Sequence, residues 1–194
     1  MTETRCGWAQ KNELMAKYHD EEWGNPLHDE QKLFEFLILE GMQAGLSWLT
    51  ILNKRENFRV AYDNFDVQKV AGYDQQKVEE LMSDSGIIRN RQKIDASINN
   101  AKRFLEVAEE FGSFNQYIWN FVDNQPIVNH WEKLSELPAK TKLSDFISAD
   151  LKRRGFKFVG STVIYAHLQA TGMVNDHLTS CFCHPEFKIS ESIR

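Results

Sequence analysis

His177 and Cys181 stand four positions apart in the stretch "NDHLTSC". In a helix or tight turn that spacing puts an imidazole and a thiol on one face. Both are soft ligands, so the pair is half of a tetrahedral metal site. The competing reading is a buried histidine beside a buried thiol, and only a second pair of ligands decides between them. Glu40 is the second residue with chemistry in it. It closes the apolar run "FLILEG" and is followed by glycine, so the carboxylate is expected where a helix turns out of the core. A buried carboxylate without a partner is unfavourable, and no lysine or arginine lies near it in sequence to supply one. Tyr18 and Trp23 in "YHDEEWG" and Trp48 in "LEGMQAGLSW" are the aromatic residues nearest to it in these motifs. Taken singly, such residues are core or half-buried surface.

A third segment, "LKRRGFKFVGSTVIYAHLQATGMVNDH", reads as a helix, a turn bounded by Gly155 and Gly160, and a helix beginning at Ser161 or Thr162. Backbone amides exposed ahead of a helix N-terminus bind a phosphate oxygen without help from a side chain. The plain alternative is a helix connection with a glycine at each end. Lys152, Arg153, Arg154 and Lys157 here, with Arg89, Arg91 and Lys93 in "IIRNRQK", form two basic clusters. Each alone reads as a solvated helix end, and two together only weaken the objection that a net charge of −5 raises to a nucleic-acid partner.

The elements that must position these residues are helices. "DEQKLFEFLILEG" carries Leu33, Phe34, Leu37 and Ile38 at core spacing behind an Asp29 cap, and "DVQKVAGY" and "DQQKVEELMSDSGI" open on capping aspartates. A long helix over "RQKIDASINNAKRFLEVAEEFGSF" stops near Gly112, and "SDFISADLKRRG" runs from a Ser144 or Asp145 cap to Gly155. No strand alternation, repeat or low-complexity tract is evident, and the four prolines fall in joins. At 194 residues and 42% hydrophobic, the chain predicts one all-α domain over residues 1–194. It has no apolar run of membrane-spanning length and no signal-peptide core, which places it in the cytoplasm. Three cysteines argue against a disulfide framework and for metal binding or burial.

The hairpin followed by "GMVNDH" resembles the helix-hairpin-helix element of DNA glycosylases. With "RCGWA", "YHDEEWG", "LEGMQAGLSWLTILNKRENF", "SGIIRNRQKI" and "RRGFKFVG" in order, the chain resembles the 3-methyladenine DNA glycosylase I family from Cys6 to about Cys181. The resemblance implies a helix-hairpin-helix glycosylase fold with the base pocket between two helical lobes. It also implies a structural zinc ion on Cys6, His19, His177 and Cys181 that staples the N- and C-terminal segments. Two thiolates and two imidazoles make a closed site. Cys183 is a possible replacement for Cys181, and His184 a more remote one.

The activity implied is hydrolytic removal of flipped 3-methyladenine from double-stranded DNA by a monomer, with no lyase step. Trp48 is then the stacking wall, Glu40 the catalytic group that reads the cationic adenine edge, and Tyr18 and Trp23 further pocket contacts. Leu46 is the wedge into the gap left by the base, and Lys157, Gly160, Ser161 and Thr162 meet the backbone. Two departures from the family pattern matter. Asn175 occupies the register of a superfamily catalytic aspartate, with Asp176 one place off, and Met15 stands where an aromatic is expected. Two other classes compete. A zinc-stapled DNA-binding module without catalysis gives Glu40 no role, and a zinc hydrolase would need an open coordination position.

Overall fold

The computed structural model describes residues 4–187. In chain order its helices are α1 (Glu13–Glu21), α2 (Glu30–Gln43), α3 (Trp48–Ala61), α4 (Val67–Ala71), α5 (Gln75–Ser83), α6 (Arg91–Phe111), α7 (Phe114–Trp119), α8 (Lys142–Arg153) and α9 (Ser161–Ala170). Asp29, Asp66 and Asp74 cap α2, α4 and α5 by accepting the backbone N–H three residues on. Helix α8 begins earlier than expected, behind Thr141. Its hydroxyl accepts from the Ser144 N–H while the Ser144 hydroxyl accepts from the Thr141 N–H, a reciprocal box that fixes the start.

The purely helical expectation misses one feature. Strands β1 (Ile127–Val128) and β2 (Val174–Asn175) pair in parallel. Two residues on each side leave no alternation to read in the sequence. Pro26, Pro126 and Pro138 lie in joins, but Pro185 opens a helical turn, where its missing N–H is no loss.

Helix α2 is buried without a break from Leu33 to Glu40, as a helix apolar on every side must be. Leu33, Phe34, Leu37 and Ile38 join Ile94, Ile98 and Phe104 of α6 and Ile164 and Leu168 of α9 in the main core. Phe36 instead meets a smaller core with Cys6, Tyr18, Trp23, Leu52 and Cys181. Glu40 is one turn beyond Phe36 on the same stripe, so it faces this second core. The helix does not stop there, contrary to expectation; it runs three residues further, to Gln43. Glu40 therefore leaves a buried helix face and not a helix end.

The α8–α9 hairpin is held by α6. The Asn100 amide accepts from Lys157 N at 2.8 Å and donates to Lys157 O at 2.9 Å, and Asn99 donates to Gly155 O at 2.8 Å. Gly155 has φ +89°, the left-handed value expected at a helix end. Gly160 has an ordinary φ of −61°, and a Cβ added there would meet nothing within 4 Å. It keeps the face ahead of α9 open; the backbone does not require it. No helix among the described residues is long and apolar enough to cross a membrane.

Candidate active site and metal centre

Cys6, His19 on α1, and His177 and Cys181 beyond β2 converge in the second core, with their ligand atoms all within 4.8 Å of one another. His19 Nε2 lies 3.2 Å from His177 Nδ1 and 3.4 Å from Cys181 Sγ. His177 Nδ1 lies 3.6 Å from Cys181 Sγ and 3.8 Å from Cys6 Sγ. The outward nitrogen of each ring is also engaged, His19 Nδ1 with Asp20 at 2.8 Å and His177 Nε2 with the Trp23 carbonyl at 2.9 Å. Such outer partners set the tautomer and aim of a ligating histidine. Gly24 makes this possible: its φ is +76°, and a Cβ there would stand 2.9 Å from the His177 ring.

The cluster is a buried Cys/His group that could hold a metal ion, and Cys181 is the thiol facing both rings. Cys183 Sγ lies 4.0 Å from His19 Nδ1, in a second group with Asp20, and its thiol also hydrogen-bonds with Cys181. His184 is turned away, with Nε2 3.1 Å from the Asn129 carbonyl.

Beside the cluster is a cavity of about 340 Å³. Met15 and Tyr18 from one face of α1, Glu40 from α2, Trp48 from the first turn of α3, and Trp23 all line it. The Tyr18 and Trp48 rings are 5.3 Å apart at their centroids, and Trp48 stacks on Phe36 at 6.5 Å and 21°. Glu40 is 3% exposed, and its Oε2 has no hydrogen-bond partner among the described residues. Arg55, the buried arginine of α3, is not that partner: it is bound to Glu35 at 2.6 Å and Glu22 at 2.7 Å. Burial pushes the Glu40 carboxyl up to about 8. Trp48 Nε1 is likewise buried and unpartnered. A carboxylate and an indole N–H left without partners in an aromatic cavity are provision for a ligand.

A groove of about 210 Å³ adjoins the cavity and shares Glu40, Gln43 and Ala166 with it. Leu46 and Thr162 form its rim. Leu46 is 41% exposed, so it belongs to the surface and not to the core. It is presented by a turn that Lys93 supports from inside, donating to Met42 O at 2.9 Å and Ala44 O at 2.6 Å. The structure does not bring every expected DNA residue to this groove. Ser161 Oγ is bonded to Ser144 Oγ at 2.8 Å, and Lys157 borders a separate depression with Asp95 and Phe158.

The two basic clusters are partly paired within the fold. Arg154 pairs with Asp150 and Glu110, Arg153 with Asp150, and Arg91 with Glu79 and Asp95, while Lys93 is buried. Asn175 is occupied: it donates to Gly24 O at 3.2 Å and accepts from His177 N. Asp176 is occupied as well, since Tyr165, Gln169, Asn129 and Trp131 all donate to its carboxylate. Trp8, Gln43, Leu137 and Gln169 line the cavity without having been singled out. For Gln169 a signal existed, because Thr162, Ala166 and Gln169 follow helical spacing along one face of α9. Leu137 comes from an irregular loop and had none.

The methyladenine glycosylase family model matches residues 8–184. The chain belongs to the methyladenine glycosylase family. It is 50% identical over 181 residues to DNA-3-methyladenine glycosylase 1 of Escherichia coli, covering 93% of this chain and 97% of the relative. DNA-3-methyladenine glycosylase of Haemophilus influenzae is 46% identical over 180 residues, with the same coverage. Among solved structures, 3-methyladenine DNA glycosylase I from Staphylococcus aureus superposes with a TM-score of 0.90 at 36% identity. That match covers 93% of this chain and 96% of the other. In this methyladenine glycosylase the family match, from Trp8 to His184, spans the cavity and three of the four cluster residues, His19, His177 and Cys181.

Proposed function

We propose that this chain is a DNA glycosylase that hydrolytically removes 3-methyladenine from alkylated double-stranded DNA, without a lyase step. The observation that carries the reading is Glu40, whose buried Oε2 is unpartnered in an aromatic cavity that adjoins a groove. A base methylated at N3 is cationic while attached to DNA. Extruded into the cavity, it supplies the positive partner the fold withholds from Glu40, and aromatic faces attract it further. Trp48 stacks on the base, Glu40 accepts an exocyclic amino hydrogen, and Tyr18 and Trp23 complete the walls. Met15 serves in place of an aromatic.

Catalysis then follows from recognition of the leaving group. The glycosidic bond breaks with both electrons going to the base, which leaves as a neutral molecule, and water attacks the oxocarbenium-like sugar. Neither Asn175 nor Asp176 is available as a strong general base, since both are held by neighbours. Leu46 fills the gap in the duplex, and the amides around Gly160, Ser161 and Thr162 take a phosphate, with Lys157 further along the backbone.

The Cys6, His19, His177, Cys181 cluster holds a zinc ion in this reading. Tetrahedral zinc with Zn–S of about 2.3 Å and Zn–N of about 2.0–2.1 Å requires ligand edges of about 3.3–3.8 Å. The distances of 3.2 to 3.8 Å fit that frame. Four protein ligands leave no open position, so the ion supplies structure and not a nucleophile. One domain over residues 1–194 acts as a monomer, with DNA as its partner. Incubation with methylated DNA, followed by chromatography of the released bases, tests the activity. Free 3-methyladenine is expected; binding without release would make this a DNA-binding module.

A further inference from the structure

Gln169 lines the same cavity from α9, and one end of its amide is held. Its Nε2 donates to Asp176 Oδ2 at 2.7 Å. Asp176 is 1% exposed and also accepts from Tyr165 Oη at 2.5 Å, Asn129 Nδ2 at 2.7 Å and Trp131 Nε1 at 2.7 Å. With four donors converging on two oxygens, the carboxylate has no role left but acceptor. An acceptor-only neighbour decides which end of a primary amide it takes, and that end is the nitrogen. The oxygen of Gln169 is therefore the remaining end, and no group among the described residues donates to it.

An exocyclic amino group carries two hydrogens. Glu40 on α2 offers an acceptor for one, and Gln169 on α9 lines the same space with a second. We infer that Gln169 is a specificity-determining residue: its amide oxygen, oriented by Asp176, accepts the second amino hydrogen of the purine in the cavity. The site then selects amino-bearing purines against those with an oxo group at that position, where two acceptor oxygens would oppose each other. Asp176 is a positioning residue, acting through Gln169. This inference rests on the reading of the cavity as a methylated-base pocket.

The test uses the intact protein on DNA containing both 3-methyladenine and 3-methylguanine, scoring the two released bases in one reaction. Their ratio does not depend on how much protein is folded. Gln169→Leu is expected to cut 3-methyladenine release roughly tenfold, the scale of one buried hydrogen bond, and to raise 3-methylguanine release, because one of the two opposing oxygens is gone. Asp176→Asn should move the ratio the same way, because the Gln169 amide is then free to turn its nitrogen inward. If Asp176→Asn does not fold, Gln169→Leu alone decides. An active Gln169→Leu with the wild-type ratio overturns this inference and leaves the activity standing. A wild type that releases no 3-methyladenine overturns both.

Discussion

His19 Nε2 lies 3.2 Å from His177 Nδ1, across 158 positions of sequence. The contact joins α1 to the segment beyond β2, and Cys6 and Cys181 complete the group. A metal ion there closes nearly the whole chain into one loop. Bound only where the four ligands converge, such an ion stabilises the fold by its binding free energy, because the unfolded chain does not hold the site together.

One zinc per chain is expected by elemental analysis. Cys181→Ser should release it and lower the melting temperature by roughly 5–10 °C, the shift for a few kcal/mol in a domain of this size. Cys183→Ser should keep the metal, because Cys181 and not Cys183 belongs to the four-residue cluster. Wild-type protein free of metal would remove the staple from the account.

Glu40→Gln should keep the zinc and the fold but weaken binding of free 3-methyladenine. Gln preserves size and an acceptor but cannot ionise, so the comparison is made above pH 8, where the Glu40 carboxyl that burial raises to about 8 carries its charge. A charge-assisted hydrogen bond contributes about 1.5–3 kcal/mol, so affinity should fall roughly ten- to a hundredfold. Tryptophan fluorescence during titration reads this directly, given Trp48 and Trp23 in the cavity walls. Equal affinities for the two proteins would make Glu40 structural.

The same carboxyl makes stability depend on pH. Burial raises it to about 8 in the folded chain, against an ordinary value near 4.5 in the unfolded one. Between those values the folded state holds a proton that the unfolded state has released. The contribution is complete below about pH 4.5 and is lost as pH rises through 8, a change on the order of a few kcal/mol. Wild type and Glu40→Gln should therefore differ least near pH 5, with the variant gaining on the wild type toward pH 9. Parallel melting curves across that range would mean the carboxyl is not perturbed.

Gly160→Asp separates DNA binding from folding. A Cβ at Gly160 meets nothing within 4 Å and its φ is ordinary, so the variant should fold. Asp at the cap of α9 should even add a few tenths of a kcal/mol. Its charge faces the expected phosphate, so duplex affinity should drop at every salt concentration tried. Unchanged affinity would move the backbone contact elsewhere.

The family, the helices and the half-cluster of His177 and Cys181 are legible in the sequence because each rests on local information. Asp29, Asp66 and Asp74 cap helices through bonds three residues away, and the i, i+3, i+4 stripe of α2 marks a buried helix. The spacing of His177 and Cys181 already makes half a cluster. Tertiary structure decided what depends on partners distant in the chain. It took Arg55 for Glu35 and Glu22 and left Glu40 alone, and it turned Lys93, Arg91 and Arg154 from a basic surface into supports and ion pairs. It also bound Asp176 to four donors, which removes it as a base and sets the Gln169 amide. The charge on a side chain is written in its residue type. Whether that charge is neutralised, or left for a ligand, depends on which groups the fold packs within about 3 Å; local spacing encodes pairs such as Arg154–Asp150 but not Arg154–Glu110 or the isolation of Glu40.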